Sequence, residues 1–218
     1  MKPLLNRLVF HGIQTCRDLL DPTAVRVRPS AECIVSFHAL ATTALERVTA
    51  DLGVAGFVRK SRIADRETWM YRDGVRITIS PATVDKPDSP DAIAREYAVL
   101  LTRAITLGDH TAIRVSGIAS QLAMYWCAYN ASGARLTESE WIEDIIELVV
   151  QRREIVDEVG SAPIELRTII ARAAANFVVN RSARWVLRRA LPDARQVPSF
   201  VECAHVKFVR LAALCDLQ

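Results

Sequence analysis

The sequence has few of the residues from which enzyme signatures are built. None of its eight glycines lies in a GxGxxG or Walker phosphate loop. The four histidines, at positions 11, 38, 110 and 205, are scattered and form no HExxH motif. The five cysteines, at positions 16, 33, 127, 203 and 215, include no CxxC pair, and their odd number favours reduced thiols over a disulfide framework. We therefore expect no enzyme, no catalytic residue, no metal site and no cofactor.

Long apolar runs are missing as well. The longest stretch without a charged residue, 115–134, contains Ser116, Gln121 and Asn130, so it is too polar for a membrane span and predicts a buried helix. Arg7 interrupts the apolar run near the start of the chain, which argues against a signal peptide. These absences predict a cytoplasmic protein with no membrane insertion.

Lysine is scarce, and this scarcity shapes the charge of the chain. Only four of the 28 basic residues are lysine and 24 are arginine, which suits phosphate binding and interface ion pairs but fits codon bias equally well. Residues 1–150 carry 17 basic and 18 acidic side chains, whereas residues 151–218 carry 11 basic and seven acidic ones. The basic excess therefore lies in the last third of the chain.

The hydrophobic pattern predicts a mostly α fold, with two helical lobes, one small β-hairpin and a terminal helical arm. The hairpin is predicted over about 69–80, where apolar and β-branched residues flank Asp73-Gly74. The predicted helices span 3–20, 30–52, 91–107, 111–130, 138–159, 161–191 with a break near Asn180, and 199–216.

Three segments follow from these elements. Residues 1–21 form the N-terminal arm, which ends at Asp21-Pro22. Residues 22–134 form an N-terminal helical lobe that carries the hairpin, and residues 135–218 form a C-terminal helical lobe. The last helix is a candidate second arm.

The C-terminal lobe has the stronger of two basic groups. Arg181, Arg184 and Arg188 recur at helical spacing and share one face. Phe177 and Trp185 lie among them and are candidates for stacking on bases, although core packing is the alternative for both. The candidate RNA-binding residues of this lobe are Arg172, Arg181, Arg184, Arg188 and Arg189.

The second basic group surrounds the predicted hairpin. Its candidate RNA-binding members are Arg59, Lys60, Arg62, Arg66 and Arg76. These residues could line a groove, or they could keep an edge strand soluble.

A single arginine near the middle of the chain is a separate candidate. Arg114 lies between Ile113 and Val115, so it faces either a cleft or a structural partner.

Residues 111–126, TAIRVSGIASQLAMYW, resemble a segment of the nucleoproteins of segmented negative-strand (bunyavirus-type) RNA viruses. Thr111, Arg114, Val115, Ser116 and Gly117 carry the resemblance. It implies two lobes gripping single-stranded RNA in a basic cleft, an RNA contact by Arg114, and an N-terminal arm that docks on a neighbouring copy. It also implies a viral polymerase as a partner, and the host cytoplasm and virion as locations.

The sequence thus predicts a sequence-independent, single-stranded RNA-binding nucleoprotein that forms homo-oligomers along viral RNA and encapsidates it. Three alternatives stay open. One is a bacterial DNA-binding regulator with a helical dimerisation domain and the 69–80 hairpin as a wing. Another is a helical scaffold that binds protein partners through an apolar groove. The last is an enzyme of an unrecognised class.

Overall fold

The structure is a computed structural model that describes residues 8–11, 33–39, 42–63, 66–71, 75–81, 88–106, 112–190 and 198–215. The chain divides into two compact units. The sheet unit comprises Met1–Thr23, Arg28–Asp88 and Arg95–Gly117, and the helical unit comprises Ala24–Val27, Ser89–Ala94 and Ile118–Gln218. The main boundary therefore falls after Gly117, whereas the sequence placed it after residue 134.

The described part of the sheet unit contains a mixed seven-stranded sheet in the order β3-β4-β5-β2-β1-β7-β6. Strand β1 runs antiparallel to β2 and parallel to β7, and β2 runs parallel to β5. The strands are β1 (Leu8–His11), β2 (Cys33–Ala39), β3 (Val58–Ile63), β4 (Arg66–Tyr71), β5 (Val75–Pro81), β6 (Thr102–Thr106) and β7 (Ala112–Ser116).

One face of this sheet is covered by helix α1 (Thr42–Val54). Val48 and Leu52 of the helix share a buried cluster with Leu8, Trp69 and Ile79 of the strands. Side chains alternate between the two faces of a strand, so β5 directs every second residue to this core. Each large apolar side chain buried here contributes about 1.5–3 kcal/mol.

The predicted helix over 30–52 is wrong in its first half. Residues 33–39, CIVSFHA, form the central strand β2, and a separate helix, α1, follows from Thr42. A short apolar run fits a buried strand as well as a buried helix, so periodicity alone did not separate the two. After α1, Gly56 adopts a φ of 87°, and its glycine backbone allows the chain to turn into β3.

The predicted hairpin is confirmed, but its surroundings differ from the prediction. β4 and β5 pair antiparallel up to Tyr71 opposite Val75, and residues 72–74 lie outside the described residues. β3 pairs on the far side of β4, and β2 pairs on the far side of β5. Because both strands are interior to the sheet, the hairpin is no free wing, and the winged-regulator hypothesis loses its main support.

The predicted helices over 91–107 and 111–130 are each shortened by a strand. Helix α2 (Pro90–Leu100) ends before β6, and β7 precedes helix α3 (Ile118–Ser132). β6 and β7 pair antiparallel from Thr102 opposite Ser116 to Thr106 opposite Ala112. The β-branched residues of both segments, TRAIT and AIRVS, suit this pairing.

The N-terminal arm is also wrong for the residues that the structure describes there. Leu8–His11 is strand β1, with β2 on one side and β7 on the other. A strand paired on both edges is part of the sheet and not a detached arm. The rest of the predicted 3–20 helix lies outside the described residues.

The helical unit matches the predicted pattern more closely. The 138–159 segment forms two helices, and the predicted break near Asn180 is confirmed, because Asn180 ends one helix. The helices after α3 are α4 (Glu140–Gln151), α5 (Ile155–Gly160), α6 (Ile164–Val179), α7 (Ala183–Ala190) and α8 (Pro198–Ala212), followed by a 3₁₀ turn at Ala213–Cys215. More of the described residues lie in helices than in strands, which confirms the mostly helical prediction at a coarse level.

Aromatic side chains hold the core of the helical unit together. The Phe177 ring centroid lies 4.4 Å from that of Phe208 on α8 and 6.2 Å from that of Trp126 on α3. Phe208 is fully buried. The last helix is therefore packed into the unit and is not a second arm.

Lys207 of α8 closes the end of α4. Its Nζ donates hydrogen bonds to the carbonyl oxygens of Val149 (3.1 Å), Val150 (2.8 Å) and Arg152 (3.0 Å). The last carbonyl groups of a helix lack partners inside the helix, and a cation there also complements the helix dipole. Burial lowers the pKa of Lys207 from its usual value, while nearby Cys203 and Glu154 oppose that shift.

Candidate ligand-binding face of the sheet

The face of the sheet opposite to α1 is polar across several strands. Thr68 of β4 lies opposite Thr78 of β5, which lies opposite position Ser36 of β2, which in turn lies opposite position His11 of β1. Residues in register point to the same face of a sheet. Thr68 and Thr78 therefore place two hydroxyl side chains next to each other in one row on this face.

Two further rows flank the first. One contains Ser80 opposite position His38, and the other contains Arg76 opposite Met70. Ser80 is buried, whereas Thr68, Arg76 and Thr78 are half-buried. An open sheet face exposed to water is the simple alternative, but burial of these polar groups indicates a partly enclosed surface. We call Thr68, Arg76, Thr78 and Ser80 the polar face.

The charges on the strands are almost all of one sign. On the seven described strands, Glu67 is the one acidic residue, and all other charged residues are lysine or arginine. Glu67 alternates with Thr68, so it points to the α1 side. Hydroxyl and guanidinium groups are donors that can bind an anion.

The predicted basic group around the hairpin is split between the two faces. Arg59 and Arg62 reach Glu67, at 3.5 and 3.8 Å between nitrogen and oxygen. Glu67 also accepts a hydrogen bond from Trp69 Nε1 at 3.0 Å, and its side chain is buried. These two arginines therefore tie the edge strand β3 to β4. Lys60 is exposed at a register shift in β3.

Arg66 and Arg76 remain as candidates on the other face. Both are half-buried, and each lies two residues before the threonine on its strand and therefore on the same face. The sequence therefore named five residues as one group, and the structure brings only these two to the polar face.

Arg114 has a structural role on β7. Its guanidinium donates to Thr102 Oγ1 at 3.1 and 3.2 Å and to the Val99 carbonyl oxygen at 3.2 Å. Val99 lies in the last turn of α2, so the positive charge supports the end of that helix. Of the two alternatives, these contacts fit a structural partner, here a hydroxyl and a carbonyl group.

The motif behind the viral resemblance has an ordinary structural explanation. Arg114, Val115 and Ser116 lie on strand β7, and Gly117 links this strand to helix α3. Gly117 N donates to the Leu101 carbonyl oxygen at 2.9 Å, and a Cβ on Gly117 would meet that oxygen at 3.1 Å. Thr111 lies outside the described residues.

The C-terminal arginines lie on the surface of the helical unit. Arg184 pairs with Glu202 at 3.2 Å, and Arg189 lies 3.5 Å from Glu143 and donates to the Thr137 carbonyl oxygen at 2.8 Å. The remaining predicted members, Arg172, Arg181 and Arg188, are exposed.

Of the two stacking candidates, one is buried and the other is exposed. Phe177 is 2% exposed and belongs to the aromatic core, so it cannot stack on a base. Trp185 is 52% exposed, and the Arg189 guanidinium carbon lies 5.6 Å from its ring centroid.

Sequence reasoning missed the polar face, although a signal was present. VRITIS alternates Arg, Thr and Ser with Val and Ile, a period-two pattern that predicts one polar face and one apolar face. The pairing partners of β5 could not be read from the same pattern, because they come from distant segments.

Among the residues that the structure describes, no group of three His, Cys, Asp or Glu side chains could hold a metal ion. In the same part of the chain, no helix is both long and apolar enough to cross a membrane.

No protein-family model matches the chain, and no curated protein matches it. Two solved structures from Helicobacter pylori are similar to it. JHP933 has a TM-score of 0.51 at 13% identity, over 99% of this chain and 85% of that one. A protein provisionally named a nucleotidyltransferase has a TM-score of 0.48 at 11% identity, over 99% of this chain and 88% of that one.

These comparisons correct the predicted identity. The similar structures are bacterial proteins, and the similarity to JHP933 shows a shared fold alone. The predicted viral nucleoprotein, with encapsidation of viral RNA, is therefore wrong. The expectation that the protein is not an enzyme stays a prediction.

Proposed function

We propose that the protein binds a phosphate-bearing ligand of nucleotide size on the polar face of the sheet. The observation that carries the proposal is the register of Thr68, Thr78 and position Ser36, flanked by Arg76 and Ser80. With strands about 4.8 Å apart, four strands span about 14 Å, which suits a nucleoside phosphate.

The chemistry of these residues favours an anion. Threonine and serine hydroxyls donate to phosphate oxygens, and an arginine guanidinium binds them bidentately. Charge-assisted hydrogen bonds of this kind are about twice as strong as neutral ones, and partial burial reduces competition from water.

The test is isothermal titration of the full chain with ATP, pyrophosphate and adenosine. We expect ATP and pyrophosphate to bind, and adenosine to bind far more weakly because it lacks phosphate. Thr78→Val keeps the shape of the side chain but removes the hydroxyl in the middle of the row. It should weaken ATP binding about tenfold or more.

Arg103→Gln is the matched control. Arg103 is exposed on β6 and pairs with Val115, so it points to the opposite face from Arg114. Its replacement should leave the affinity for ATP unchanged. Absence of phosphate binding by the unaltered protein, or equal losses in the two variants, would overturn the proposal.

Nucleotidyl transfer is an activity named for the second H. pylori protein, and that similarity carries no argument for this chain. The same titration can test it when Mg²⁺ is added and pyrophosphate release is measured. Carboxylates usually hold Mg²⁺ in such reactions, and Glu67, the one acid on the strands, points to the other face. We therefore expect the protein to bind ATP on the polar face without releasing pyrophosphate from it.

A further inference from the structure

A second surface lies on the helical unit, around the exposed ring of Trp185. On α7, Arg188 and Arg189 follow it by three and four residues, and Arg181 lies in the turn just before the helix. Positions three and four apart are neighbours on a helix surface. Residues 181–190 contain no acidic side chain, and the Arg189 guanidinium lies over the exposed ring.

Exposed apolar side chains also lie on α8, the helix that Arg184 joins to α7. Arg184 Nη2 meets Glu202 Oε1 at 3.2 Å and joins the outer faces of α7 and α8. Val206 and Val209 follow Glu202 by four and seven residues, and they are 50% and 42% exposed. The valines therefore lie in the same row as the carboxylate that reaches α7.

We propose that Trp185, Val206 and Val209 with the α7 arginines form a docking surface for an acidic, amphipathic segment of a partner protein. Charge complementarity favours an acidic partner, because α7 carries three arginines and no acidic residue. Exposed tryptophan and arginine side chains are also the residues that most often dominate binding energy at protein interfaces.

A nucleic acid fits this surface less well. Its binding draws mainly on positive charges that are free to neutralise phosphates. Arg184 and Arg189 already face Glu202 and Glu143, so part of the positive charge is compensated within the chain. Two exposed valines give nothing to a phosphate backbone, whereas they can seat leucine or phenylalanine side chains.

The test uses a fluorescein-labelled helical peptide with glutamates on one face and leucines on the other. Fluorescence anisotropy with the full chain should show saturable binding that weakens as salt is added. Trp185→Ala should weaken binding at least tenfold, and the double variant Val206→Ser/Val209→Ser should weaken it several-fold. Because all three side chains are exposed, the variants should keep their thermal stability.

Arg153→Glu is the control, since Arg153 is exposed but lies between α4 and α5. A peptide with lysine in place of glutamate should not bind. The proposal is overturned if the acidic peptide does not bind, if Trp185→Ala binds it as the unaltered protein does, or if a single-stranded oligonucleotide binds here and the peptide does not.

Discussion

The sheet unit and the helical unit differ in where their charged and polar side chains lie. In the sheet unit, a buried carboxylate at Glu67 gathers two arginines and an indole on one face, while hydroxyls and Arg76 occupy the other. In the helical unit, Lys207 closes the end of α4 and the Arg152–Glu158 pair joins the end of α4 to α5. Buried positions there are mainly apolar, with Glu147 of α4 as a buried acid. The comparison suggests small-ligand chemistry on the sheet and protein contacts on the helices.

The largest expected effect tests the aromatic core of the helical unit. Phe177→Ala would leave a cavity between Trp126 and Phe208 and should lower the free energy of unfolding by about 3–5 kcal/mol. Urea unfolding followed by far-ultraviolet circular dichroism measures this loss. Phe200→Ala is the control, because Phe200 is 47% exposed and its loss should cost less than about 0.5 kcal/mol. Equal losses of stability in the two variants would contradict the aromatic core proposed for the helical unit.

The second prediction tests Glu67 as the centre of the sheet's ion pairs. Glu67→Ala removes the partner of Arg59 and Arg62 and the acceptor for Trp69 Nε1, and should cost about 1–3 kcal/mol. Glu67→Gln should cost less, because its amide oxygen can still accept from the indole. Denaturant unfolding monitored by tryptophan fluorescence compares both with Glu46→Ala, a change at an exposed position of α1. A loss no greater than that of the control would contradict this role.

The third prediction concerns the closure of α4 by Lys207. Lys207→Met removes three hydrogen bonds to carbonyl oxygens and should lower the free energy of unfolding by about 1–2 kcal/mol near neutral pH. The pKa of Lys207 is lowered in the folded state, so between that pKa and its usual value of 10.5 the unfolded chain binds more protons. Stability from this group is therefore lost as pH falls through the folded pKa.

The measurement is urea unfolding of the original chain and of Lys207→Met at pH 8 and at a pH near 10.5. The stability advantage of the original chain over Lys207→Met should be larger at the higher pH. There the partly buried ammonium of Lys207 has lost its proton in the folded state, so the cost of burying its charge is gone. An advantage that shrinks as pH rises would mean that the charge itself stabilises the helix end more than burial opposes it.

The smallest effect is expected at the Arg184–Glu202 pair. Both side chains are more than half exposed, at 61% and 57%, so solvent screens their attraction. A double-mutant cycle with Arg184→Gln and Glu202→Gln should give a coupling below about 0.5 kcal/mol. A coupling above about 1 kcal/mol would show that charged pairs organise the helical unit as strongly as they do the sheet.

The two units also differ in how far the sequence predicted them. Helices α6 and α7, with their break at Asn180, follow from local periodicity, because each contact along a helix lies three or four residues away. β2 and β7 were predicted as helix, because short apolar segments fit both structures when their partners are unknown.

The candidate sites show the same limit. Helical spacing named Trp185 and the arginines around it as candidates for RNA binding, but it left core packing of Trp185 open and did not predict its exposure. The polar face was missed because Thr68, Thr78 and position Ser36 meet only through strand pairing. The role of Arg114 depended on Thr102 and Val99, which the sequence alone does not bring to it.

The order of the strands has a consequence for how the protein is made. β1 pairs with β7, so the backbone of Val9 gains its partner on that edge only after Arg114 has been synthesised. A chain emerging from the ribosome therefore carries an incomplete sheet until more than a hundred further residues have been added. Such long-range closure slows folding, whereas the helices after Ile118 form from neighbours in sequence. We expect the sheet unit to need protection from aggregation during synthesis more than the helical unit does.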